Sequence, residues 1–227
     1  MSHIISKAVL QIECEEDSII SKEVNPSNEY GWKVYSFNDR HYNYRDPDTV
    51  MSVKYESHGP GFLSVDVYGV DVGIRRKLDV GTAFWLDRFE HGNCVWSLHG
   101  SGPQCRFDTS RYGGIMIWEG DLKNLPAKTF EKRAEHAKKL LSAYTSWCNG
   151  EVYFLQLTYF LETPQGPEEC TESMTGVLGY ESIPEYVRTL LSECGIGRQT
   201  PLKIGGDAAC FVEGEDLFAV EEGSVEV

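Results

Sequence analysis

No window of the 227-residue chain approaches the roughly 18 consecutive apolar residues that a membrane-spanning helix needs. The N-terminal MSHIISKAVLQIECEEDS lacks a basic start, a long apolar run and a small-residue cleavage site, so no signal peptide is expected. Positive charge is scarce in one half. Residues 140–227 hold 3 Lys or Arg against 15 Asp or Glu, and no base lies between Leu140 and Val187. That scarcity excludes a dominant basic nucleic-acid footprint, and no direct DNA binding is expected. The seven cysteines include no C-x-x-C pair, and the only N-x-S/T triplet, Asn25-Pro26-Ser27, is blocked by its proline. Reduced thiols in a cytoplasmic protein fit this pattern. Walker, G-x-S-x-G and complete dinucleotide motifs are absent, so neither a cofactor nor a catalytic residue is assigned.

What is present suits a folded chain. Apolar residues make up 41% and aromatic residues 12%, enough for a sizeable core. Lys7–Glu13, Gly31–Phe37, Phe62–Val70, Val80–Leu86, Cys94–His99 and Gly114–Glu119 read as strands from their alternation and β-branched or aromatic content. From Ala127 to Trp147 the period changes. Phe130, Ala134, Ala137, Leu141, Tyr144 and Cys148 fall at steps of three and four, one face of an amphipathic helix that Asn149-Gly150 ends. Glu151–Leu161 reads as a central strand covered by this helix. Thr163–Glu169 reads as a loop and Glu172–Gly179 as a return strand. Ser182-Ile183-Pro184-Glu185 has the form of a capping box, opening a helix that buries Ile183, Val187, Leu190, Leu191 and Cys194 up to Gly195. The expected class is α+β, a mostly antiparallel sheet with two amphipathic helices packed on it. One domain over 1–195 and an acidic extension over 196–227 are expected. The apolar Phe211, Val212, Leu217 and Phe218 imply that the extension docks somewhere.

Candidate chemistry is sparse. His91, Cys94, His99 and Cys105 have zinc-ligand residue types, but positions 94 and 99 face opposite sides of a regular strand, so no metal site is assigned. Asp87 and Glu90 form the carboxylate pair on which a hydrolase reading would rest. Arg75-Arg76-Lys77, the one compact basic cluster, reads as a solvated loop. With the aromatic loop around Tyr42 and Tyr44 it is an alternative contact surface. The principal candidate is an acidic face of Glu151, Glu162, Glu168, Glu169, Glu172, Glu181, Glu185, Glu213, Glu215 and Asp216, whose charge suits a basic partner.

Four blocks in order, between about residues 25 and 195, together resemble a family of accessory proteins carried by bacteriophages and plasmids. The first is PSNEYGWKVYSFNDRHYNYRDPD, with Gly31, Arg40 in a shifted register, Tyr42, Asn43 and Asp46. The second is VGTAFWLDRFEHG, where Glu90-His91-Gly92 stands for the family's turn. In FDTSRYGGIMIW, Phe107 replaces a tryptophan while Asp108 and Gly114 are kept. The last is SAYTSWCNGEVYFLQL followed by ESMTGVLG. The resemblance implies no catalytic residue. It implies a mobile-element setting, and with it an expected role: a binding protein that inhibits a host defence complex, CRISPR or restriction, in the bacterial cytoplasm. The expected partner is a host protein or ribonucleoprotein with a basic channel. The alternatives are a mobile-element role in replication or host takeover, and a hydrolase.

Overall fold

The computed structural model describes residues 4–15, 24–26, 31–37, 55–57, 63–65, 72–125 and 127–218. Tyr42, Tyr44, Arg40, Asn43 and Asp46 lie outside them. The class is α+β, with two four-stranded, mostly antiparallel sheets and three helices among the described residues. The chain divides into two compact units, Met1–Val24 with Gly150–Val227, and Asn25–Asn149. The second unit is thus inserted into the chain of the first, where the sequence suggests one domain ending at residue 195.

The first unit is built on β1 (Ile4–Cys14), β8 (Val152–Thr163), β9 (Gly166–Leu178) and β10 (Leu202–Gly205), in the order β10-β1-β8-β9. β1 pairs antiparallel with β8 and parallel with β10. β8 is central, as its apolar content suggests, but the helix packed on it is α3 (Ile183–Glu193). Ala8, Leu10 and Ile12 of β1, Leu155 and Leu157 of β8, and Val187, Leu190 and Leu191 of α3 make one core. The expected loop at 163–169 is a two-residue turn, Pro164-Gln165, because β9 begins at Gly166. Ser182 makes no cap bond. Its hydroxyl donates instead to the Leu178 and Gly179 carbonyls at 2.6 and 2.7 Å. After β10 the chain passes over β1 at Gly206, where a Cβ would come within 2.1 Å of the Ile12 carbonyl oxygen, so only glycine fits. A 3-10 turn at Ala209–Val212 follows, and Leu217 is buried in the same core. Residues 202–218 of the expected extension are therefore part of this unit.

The second unit has the strand order β2-β7-β5-β6, from β2 (Trp32–Ser36), β5 (Ala83–His91), β6 (Asn93–Leu98) and β7 (Thr109–Trp118). β3 (Tyr55–Ser57) and β4 (Leu63–Val65) pair antiparallel as a separate two-stranded sheet, with β4 lying against β7. α2 (Phe130–Cys148) starts at the Thr129 cap and buries Ala137, Leu140, Leu141, Tyr144 and Trp147. Its buried stripe is rotated from the expected one, leaving Phe130 46% exposed. Gly150 takes the left-handed conformation, φ +75°, that ends such a helix. A further helix, α1 (Val72–Asp79), covers the other side of the sheet through Ile74 and Leu78. It carries Arg75, Arg76 and Lys77, so the basic triplet is helical and not a loop. Arg76 and Lys77 fall in the last turn, where cations complement the helix dipole.

Candidate functional site

The most organised polar arrangement lies in the second unit. β5 reads AFWLDRFEH, and Asp87 is an ionisable residue set within an apolar run, 1% exposed. A buried carboxylate needs donors. Asp87 has four: the Gly100 N–H at 2.9 Å, the Tyr112 N–H at 3.0 Å, the Gln104 amide at 3.0 Å and the His99 ring at 2.8 Å. Burial alone would raise its carboxyl. The Gly100 N–H, with His99, Gln104 and the Tyr112 N–H, outweighs burial and holds it below the usual carboxylate range. An ionised carboxylate only accepts, so His99 Nδ1 carries the proton and Nε2 is left as the basic nitrogen.

Local backbone geometry produces this pairing. β5 and β7 slip register between Leu86 and Arg88, so Asp87 lies at an irregularity where its side chain takes the Tyr112 N–H. Tyr112 has φ +52°, the one positive value on a non-glycine residue among the described residues. Its ring stacks on His99 at 4.0 Å and meets Trp85 edge-on at 5.6 Å. The His99 side chain stays 35% exposed. Chemically this is an imidazole oriented by a fixed negative charge, its Nδ1 held on Asp87 and its side chain partly open to solvent.

The carboxylate pair suggested for a hydrolase does not form. Asp87 turns to His99, while Glu90 bonds Arg88 two residues away on the opposite face. The four zinc-type residues do not gather at one point but fall into three places. His91 is largely exposed and lies 3.6 Å from Asp108, and Cys105 donates to the same carboxylate at 3.2 Å. Cys94 is buried against Cys148, and His99 belongs to Asp87.

In the first unit, the acidic residues are outward but not on one face. Glu168, Glu169 and Glu172 stand on β9, opposite Leu161, Phe160 and Leu157. Strand alternation puts Glu168 and Glu172 on the α3 side of the sheet and Glu169 on the other. Glu162 sits at the hairpin end of β8, and Glu151 and Glu181 lie together near Tyr180, whose phenol Glu181 foremost pushes up. All ten acids are exposed except Glu151, which is half-buried. Glu185 lines a cleft of about 520 Å³ between α3, Gly197-Arg198 and Leu217-Phe218. Glu215 and Asp216 are bound within the unit. Arg188 pairs with Glu215 at 3.3 Å and donates to the Asp216 carbonyl, and Arg198 holds the Asp216 carboxylate at 2.5 Å. The Arg198 bond, with the Phe218 N–H, keeps that carboxyl below its usual range. Glu213 is exposed after the 3-10 turn.

The Asp87–His99 pair has one sequence signal, an acid directly after the apolar run Ala83–Leu86 of a strand, which demands buried partners without naming them. The Arg188–Glu215 and Arg198–Asp216 pairs have none beyond the scarcity of bases. No family model, no curated protein and no solved structure matches the chain. No helix of the described residues is long and apolar enough to cross a membrane.

Proposed function

We propose that the chain is a non-enzymatic binding protein that meets a basic partner through exposed carboxylates of the first unit. One observation carries this. Residues 140–227 have three bases, and two of them, Arg188 and Arg198, are already held by Glu215 and Asp216. Glu162, Glu168, Glu169, Glu172, Glu181, Glu185 and Glu213 remain turned to solvent with little local compensation. The resemblance to bacteriophage and plasmid proteins supports a partner of a definite kind, a host defence complex with a basic nucleic-acid channel. Such channels are built to meet closely spaced negative charge, about one per ~1.7 Å along duplex DNA. The test is a triple charge reversal, E168K/E169K/E172K, in a pull-down from bacterial lysate. A nuclease or guide complex recovered by the parent chain and lost by the variant supports the reading. Equal recovery by both sinks it.

A second reading, a hydrolase, is favoured by the Asp87–His99 pair, because an oriented imidazole is what general-base chemistry requires. Its test is turnover of activated esters and phosphoesters by the parent chain and by H99A. Activity that drops at least tenfold in H99A supports it, and no turnover by the parent removes it.

A further inference from the structure

We propose that Cys94 and Cys148 are a disulfide-forming pair, closed by a peroxide-class oxidant, that staples the C-terminal end of α2 to the edge strand β6. Thr145, Cys148 and Asn149 fall at helical spacings of three and four, so they share one face at the end of α2. Thr145 Oγ1 accepts the Trp96 N–H at 3.0 Å. The Asn149 amide brackets Cys94, accepting its N–H at 2.9 Å and donating to its carbonyl at 3.0 Å. These bonds hold the helix end in fixed register on β6, and they bring Cys148 beside Cys94, each thiol the first influence on the other's ionisation.

The two sulfurs are not equivalent. The Cys148 thiol lowers the Cys94 pKa, burial opposes it, and the Arg88 guanidinium adds to the lowering. Cys148 is pushed well up, by its bond to Cys94 first and burial second. Cys94, the sulfur on which the Arg88 guanidinium acts, is taken as the attacking thiolate and Cys148 as the resolving thiol. Cys94 is 5% exposed and Cys148 half-buried, so a small oxidant is required. The Cys94 thiolate attacks one oxygen of hydrogen peroxide, the O–O bond breaks and hydroxide leaves, giving Cys94–S–OH. The Cys148 sulfur then displaces that hydroxyl, which departs as water with the Cys148 proton. Two thiols lose two electrons and peroxide becomes two waters.

The experiment treats the reduced full-length chain with equimolar to twofold hydrogen peroxide, then digests it without reduction for mass-spectrometric mapping. The expected product is a peptide pair joining Cys94 to Cys148, 2 Da lighter than the separate peptides, with titratable thiols falling from the seven of the reduced chain by two. The unfolding midpoint of the oxidised chain rises by roughly 5–10 °C, and C148S loses both the bridge and the rise. A second variant, with Cys14, Cys105, Cys170, Cys194 and Cys210 all changed to serine, must still form the bridge; if it does not fold, the parent map decides. Other cysteines oxidised while Cys94 and Cys148 stay as thiols, or Cys170 joined to Cys194 in preference, would overturn the proposal.

Discussion

Trp32 is fully buried, and its indole N–H can only donate. The acceptor is His136 Nδ1 on α2, at 2.9 Å. Burial first and Lys139 second hold the His136 imidazole below its usual pKa, so it sits neutral with Nδ1 unprotonated. A histidine depressed in the folded state contributes stability above its unfolded value of 6.5, and that stability is lost as pH falls through the lower folded value. Below about pH 6.5 the second unit should weaken. H136Q, which can accept from the indole without titrating, should flatten that part of the curve, as urea midpoints at pH 7.5, 6 and 5 would show. Asp87 gives a related expectation. Its folded carboxyl lies below the ordinary 3.8, so its contribution is present above that value and disappears as pH drops beneath it. D87A strands four donors and should cost about 3 kcal/mol or more at pH 7, while losing the steep acid limb. A loss under about 1 kcal/mol in denaturant melts would contradict the account of Asp87 as the tie between Gly100, Gln104 and Tyr112.

Elements explain why the ends of sheets are not left open. β6 is an edge strand, and an edge strand presents unpaired N–H groups. Two of them, on Cys94 and Trp96, are taken by Asn149 and Thr145 at the end of α2. N149A removes two bonds to one buried residue and should cost about 1–3 kcal/mol in thermal or urea melts, with T145A costing less. β9 is handled differently. It is also an edge, and it carries Glu168, Glu169 and Glu172, charge that discourages a second chain from pairing there. The helix over 127–147 was legible because three-four periodicity survives in any environment. The helix at 72–79 was not, because VGIRRKLD is too short for its period to stand out and only Ile74 and Leu78 need a surface to cover.

At the scale of the whole molecule, the charge of −14 is unevenly carried. If the first unit meets a basic partner through it, raising salt from 0.1 M to 1 M should weaken binding at least tenfold, because screening shortens from about 10 Å to about 3 Å. A change under twofold in a titration series would leave the acids with solubility alone. Truncation separates the acids further. Glu215 and Asp216 clasp Arg188 and Arg198, and Leu217 is core, so removing residues 213–227 should destabilise the first unit itself. Removing 219–227 keeps that clasp. A thermal melt of both truncations should therefore show a loss for the longer one that exceeds the loss for the shorter.

The sequence by itself determined the α+β class, the long amphipathic helix, the helix after Ser182 and the asymmetry of charge. Each of these is local or additive: a face repeats every few residues, and charges sum whatever the fold. The tertiary structure alone decided that β1 returns to β8 and β10, making one unit out of the two ends of the chain and inserting the other between them. It alone brought Asp87 to His99 and Cys94 to Cys148, and tied the Cys14 N–H to Asp207, 193 residues away, at 3.0 Å. The physical reason is that alternation along a strand states which side is buried, while nothing in the strand states what will lie beside it. Partner choice follows from burying all the apolar faces at once, and a polar group such as Asp87 finds its donors only after that packing is complete.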